Sequence, residues 1–189
     1  GFGKSKESQI IIFAKPKDAK KPKDGYEIYD SKGLCNFSDD AMYKFAKRKG
    51  YIAGNSLTDQ EVATKVLEAS KELIKIAVKF TTYLRDNVTV SDWNWETNDY
   101  SYSASGRGVV KNNTKYAIPD VKYVVTYTKR DGTEVTQDEG SITYGEIRPY
   151  GMESFSFYTP YVGNASRASI RLEFDKDFIF ETVAKGEFE

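Results

Sequence analysis

Hydrophobic and polar positions along this chain follow two rhythms, and the change from one to the other falls near Asn87. Before it, Val62, Val66, Leu67, Leu73, Ile74, Ala77 and Phe80 recur near helical spacing. This predicts an amphipathic helix through about Tyr83, with Lys and Glu on the opposite face. Thr58-Asp-Gln-Glu61 reads as its capping box, Thr58 turned onto the first free amides and Glu61 reaching back to the cap amide. A shorter helix is expected from a cap at Ser38 through about Lys49, with Asp39 and Asp40 against the N-terminal dipole and Gly50 at its end.

After Asn87 the period becomes two. Arg167 to Phe174 places Ala168, Ile170, Leu172 and Phe174 on one face and Arg167, Ser169, Arg171 and Glu173 on the other. Met152 to Tyr158 sets Phe155 and Phe157 against Ser154, Ser156 and Tyr158. Val121 to Thr128 aligns Val121, Tyr123, Val125 and Tyr127, and Asp131-Gly132 supplies a turn into a return strand, Thr133 to Gln137, that Gly140 to Tyr144 extends. Tyr100 to Lys111 reads as a strand broken by Gly106 and Gly108, and Phe178 to Val183 as a final strand. In the first strand Val88 and Val90 share one face while Trp93 and Trp95 have the opposite parity, which requires a bulge near Ser91-Asp92 or a switch of burial.

The expected class is therefore α+β: an N-terminal portion with two helices, residues 1–86, then a C-terminal antiparallel immunoglobulin-like β-sandwich of about seven strands, residues 87–189. The first portion also carries a short strand at Ile10 to Phe13 and a proline-bearing charged loop from Lys15 to Gly33.

Composition narrows the chemistry. The 189 residues suffice for one core, or one domain and a smaller helical element. The 28 basic and 28 acidic residues cancel, which argues against a nucleic-acid partner. With no His, Ser-His-Asp and Cys-His mechanisms are excluded. A single Cys35 forms no internal disulfide and reads as structural. Gly3-Lys4-Ser5 lacks the upstream strand and Gly of a phosphate loop. Asp138 with Glu139, or Asp175 with Asp177, are the remaining acid-base or calcium candidates, and both read better as solvated surface. Asn36, Asn87, Asn112 and Asn164 each open a glycosylation sequon that doubles as turn chemistry. No catalytic residue, cofactor or metal site is assigned. One or both of Trp93 and Trp95 are expected to fill the sandwich core; the alternative is an exposed aromatic platform, joined by Tyr100 and Tyr102, that would stack on sugar faces.

Gly108-Val-Val-Lys-Asn-Asn-Thr114, the strand Val121 to Thr128 with its Asp-Gly turn, and Arg148-Pro-Tyr-Gly-Met-Glu-Ser-Phe155 together resemble the FxLYD-type β-sandwich domains of bacterial envelope proteins, over residues 106–174. The Phe-x-Leu-Tyr-Asp string itself is absent. The resemblance implies a bacterial envelope protein, periplasmic or on the cell surface, exported or lipid-anchored, with no catalytic residue to transfer. Gly1 is not a native start, so the chain reads as trimmed, leaving room upstream for an export signal or lipid anchor. The expected function is non-enzymatic binding or assembly with a protein or glycan partner. The runner-up is a carbohydrate-binding module using Trp93, Trp95 and the tyrosines, and a carboxylate-dependent hydrolase stands third.

Overall fold

The computed structural model describes residues 11–13, 27–29, 39–53 and 58–189. Cys35, Ser38, Asn36 and Gly3-Lys4-Ser5 lie outside them. The chain divides into two compact units: residues 1–81 with 176–189, and residues 82–175.

In the first unit a strand β1 (Ile11–Phe13) pairs antiparallel with β2 (Glu27–Tyr29). The second of these falls inside the stretch read from sequence as loop; of its three residues only Ile28 and Tyr29 favour a strand, too few to stand out among the surrounding lysines and prolines. Helix α1 (Asp39–Arg48) buries Met42, Phe45 and Ala46, and ends as expected at Gly50, whose φ is 82°. There the Tyr51 amide donates to the Ala46 carbonyl and the Gly50 amide to that of Lys47, the paired bonds of a Schellman cap. Helix α2 (Asp59–Asn87) opens on its capping box, with the Glu61 amide donating to Thr58 Oγ1 at 3.2 Å and the Thr58 amide to Glu61 Oε1 at 3.4 Å. Its apolar stripe buries Val62, Val66, Leu73, Ala77 and Phe80, while Leu67 and Ile74 sit at the margin.

The expected final strand at Phe178 to Val183 is instead a helix, α3 (Lys176–Ala184). Its β-branched and aromatic letters suit a strand, but Ile179, Thr182 and Val183 bury at helical spacing and Phe178 packs on the Phe80 ring, centroids 5.8 Å apart. Tertiary contact overrides propensity here. Arg48 fastens the end of α3: its Nε donates to the Ala184 carbonyl, one terminal nitrogen to that of Val183, and the other to Glu189 Oε1 at 2.9 Å. The sheet unit accordingly stops at Asp175, short of the 189 expected.

The second unit takes in the C-terminal end of α2, and its strands all pair antiparallel. One three-stranded sheet has the order β3 (Val88–Asn98), β4 (Ser103–Asn112), β9 (Met152–Thr159). Another runs β10 (Arg167–Glu173), β6 (Lys122–Thr128), β7 (Glu134–Ser141), and a two-stranded ribbon joins β5 (Ile118–Pro119) to β8 (Glu146–Ile147). Together with three helices among the described residues this makes an α+β protein with eight strands in its sheet unit. The β6–β7 hairpin turns at Asp131-Gly132, where Gly132 has φ 89° and the Thr133 amide donates to Asp131 Oδ1.

Two expectations about β4 are corrected. It begins at Ser103, leaving Tyr100 and Tyr102 in the preceding turn, and its glycines do not break it. Gly106 and Gly108 pair across to Phe157 and Phe155. A Cβ on Gly106 would overlap the Phe157 ring and the Asn94 carbonyl, and one on Gly108 would stand 2.9 Å from the Phe155 ring. The glycines are the floor on which two large rings lie flat. In β3 the register with β4 shifts between Ser91 and Asn94, and Asp92 takes φ 49°. The opposed parity of the valines and tryptophans is thus the signature of a bulge.

Candidate functional site

The inner faces of the two three-stranded sheets meet through aromatic rings. Tyr123 of β6 stacks on Phe155 of β9 at 5.3 Å and lies 5.7 Å from Phe157. The ring has space because Gly140, its partner on β7, carries no side chain to oppose it. Along the flank where β7 and β9 are outermost, a polar chain ties the sheets: Thr159 Oγ1 donates to Asp138 Oδ2 at 2.6 Å, which leaves the fully buried Tyr127 hydroxyl to donate to Thr159 Oγ1 at 2.8 Å. Burial pushes the Tyr127 phenol above its ordinary pKa, and the Asp138 charge adds to this; Tyr123 is raised by the same two causes in the same order. Asp138 therefore serves as an acceptor inside the fold. Its neighbour Glu139 projects from the opposite face of β7, so the two carboxylates do not form an acid-base pair.

On the other flank the edge strands β3 and β10 approach each other but leave a groove between them. Edge strands β3 and β10 border a groove of about 810 Å³, walled by Val88, Val90 and Trp93 on one side and Ile170, Leu172 and Phe174 on the other. Arg85, Arg171 and Glu173 stand at its rim, and the last two form an ion pair at 2.8 Å. No residue of β10 is buried: even its apolar face, Ala168, Ile170 and Leu172, is only half covered. That is unusual for so strict an alternation, whose apolar side is ordinarily core. Unlike β3, β10 pairs with β6 without a register shift along all seven residues.

The four aromatics singled out from the sequence separate into different environments. Trp93 is half-buried beside Phe157, centroids 6.4 Å apart, and forms part of the groove wall. Trp95, also half-buried, meets Tyr127 edge-on at 5.6 Å. Tyr100 is fully exposed in the β3–β4 turn, and Tyr102, at φ 54°, tilts against Tyr161 at 6.2 Å. They do not form one platform. A separate polar hollow of about 620 Å³ beside the bulge is lined by Asp92, Asn94, Arg107, Ser154 and Ser156, among others.

The Asn-x-Thr motif proves to be a clasp. Asn112 is fully buried, and its Nδ2 donates to the carbonyls of Tyr116 at 2.7 Å, Arg148 at 2.9 Å and Ile147 at 3.3 Å. Its Oδ1 accepts from the Thr114 amide and hydroxyl. The end of β4 is thereby fixed to the Arg148-Pro-Tyr-Gly turn, where the Gly151 carbonyl accepts from the Asn112 amide. Both halves of the motif were legible in sequence; that they bind each other was not. An amide so engaged is unavailable as a glycosylation acceptor, whereas Asn164 is exposed.

Among the described residues no group of three or more His, Cys, Asp or Glu side chains is placed to hold a metal ion, and no helix is long and apolar enough to cross a membrane. No protein-family model matches the chain. No curated protein matches its sequence. Among solved structures it is similar to a DUF1425 family member from Shewanella sp. pv-4, with 13% identity, 47% of this chain and 78% of that one covered, and a TM-score of 0.34. It is also similar to the Pseudomonas fluorescens alkylpurine DNA glycosylase AlkC bound to DNA containing an abasic site analog, with 11% identity, 71% of this chain and 44% of that one covered, and a TM-score of 0.33. Likenesses this distant assign neither family nor function.

Proposed function

We propose that this chain is a non-enzymatic binding or assembly protein of the bacterial cell envelope, that its sheet unit is an immunoglobulin-like sandwich of the FxLYD type, and that it binds through the open flank between β3 and β10. The groove carries the reading. It brings together two strand edges with no neighbour in their sheets and a half-covered apolar lining, the two elements that recognition of an extended peptide needs: main-chain pairing for affinity and pockets for alternate side chains for specificity. The envelope setting is supported by the FxLYD resemblance of the residues around Asn112 and Arg148.

Selection of phage-displayed random peptides on the chain tests the binding. Enriched peptides should alternate apolar residues and lose binding on Leu172→Arg, while Ser154→Arg on the other sheet leaves it intact. Recovery of no peptides, or of peptides indifferent to Leu172→Arg, would count against the open flank. Export is tested separately by fusing alkaline phosphatase to the native full-length protein; a fusion inactive in growing cells would remove the envelope setting.

A further inference from the structure

We infer that the occupant of the β10 edge is the β10 strand of a second copy of this chain, joined antiparallel about a two-fold axis through Ile170. The inference rests on the open-flank reading and supplies its partner. Because side chains alternate between faces, a symmetric antiparallel pair keeps apolar opposite apolar only if the axis passes through a residue, not between two. Centred on Ile170, all seven residues of β10 pair. Arg167 then faces Glu173 of the other copy, Ala168 faces Leu172, Ser169 faces Arg171, and Ile170 faces itself. Opposite charges meet, a small apolar residue meets a larger one, and no like charges stand directly opposite.

Neighbouring registers are worse. An axis through Ser169 sets Arg167 against Arg171, and one through Arg171 sets that residue against its own copy. Moving further, to Ala168 or Leu172, leaves only three residues of each strand overlapping. Glu173, which already accepts from Arg171 within its own strand at 2.8 Å, would sit between two guanidinium groups, one from each copy. Of the usual devices against such pairing, β10 has no proline, no lysine and no bulge, and its charges, Arg167, Arg171 and Glu173, are of both signs and match across the axis, whereas β3 across the groove is bulged at Ser91–Asn94. With the axis normal to the sheet, the second copy's Ile170 and Leu172 extend the half-covered apolar face that β10 presents to the groove.

Sedimentation equilibrium of the full chain should show a reversible monomer–dimer transition. Arg167→Glu and Glu173→Arg should each weaken association by about tenfold or more, because each reversal occurs twice across the axis. The double variant restores the opposition and should recover most of the affinity, with circular dichroism confirming that all variants stay folded. A dimer indifferent to both single reversals, or a double variant no tighter than either single one, overturns the β10 register. A chain monomeric at every concentration overturns the dimer: if selected peptides still bind at Leu172, the open-flank reading survives with a foreign strand as partner, and if they do not, both fall.

Discussion

The two flanks of the sheet unit are built from similar strands and finish in opposite ways. On the β7/β9 side, large rings lie over glycines and a hydroxyl relay from Tyr127 through Thr159 to Asp138 draws the sheets together. On the β3/β10 side, the groove wall is mostly Val, Ile and Leu with one ring from each strand side, Trp93 and Phe174, and the bulge at Ser91–Asn94 bends β3 locally. Closure of such an interface thus depends on residue size paired against residue absence. Where a Phe or Tyr meets Gly, the sheets interdigitate; where medium residues meet medium residues beside a bulge, a gap remains.

Substitutions on the closed flank should be expensive. Phe157→Ala removes a ring that touches Tyr123, Trp93 and Phe155, and is expected to cost about 3–5 kcal/mol of stability by chemical denaturation. Thr159→Val keeps the shape but strands the Tyr127 hydroxyl and Asp138 carboxylate; a loss of about 1–3 kcal/mol is expected. Alkaline pH probes the same place. A phenol raised in the folded state favours folding below the unfolded value of about 10, and that contribution is lost as pH rises through the folded value. Stability should therefore fall above about pH 10, and Tyr127→Phe should flatten the slope. On the open flank Leu172→Ala should cost about 1 kcal/mol or less under conditions where the chain is monomeric, because the side chain is already half in water. An equal loss at Leu172 and Phe157 would abolish the distinction between the flanks.

Much of this was legible in the chain. Period and caps located α1, α2 and the β6–β7 hairpin because those signals are local: Gly50, the Thr58–Glu61 box and Asp131-Gly132 each act within a few residues. The parity change between Val90 and Trp93 pointed to the bulge for the same reason. What failed was decided at a distance. Gly106 and Gly108 look like strand breakers until Phe157 and Phe155 are known to lie against them, and Phe178 to Val183 looks like a strand until Phe80 is placed beside it. The groove left no signal in the order of residues, since β10 reads as a core strand and only its place at the end of its sheet makes it an edge with a half-wet apolar side. Tyr100 and Tyr102 were grouped with the tryptophans by proximity in sequence, but a turn separates them from the inner face.

Asn112 also sets a timetable for folding. Its side chain reaches carbonyls 35 and 36 residues further on, so the clasp can form only after the whole β6–β7 hairpin has been looped out between them. The hairpin closes through neighbouring residues, and loop-closure entropy makes it the earlier event. Asn112→Ala, whose loss leaves several buried carbonyls without donors, should therefore speed unfolding far more than it slows folding. The short motif that most resembles a family signature would then be the last rivet set and the first to give way.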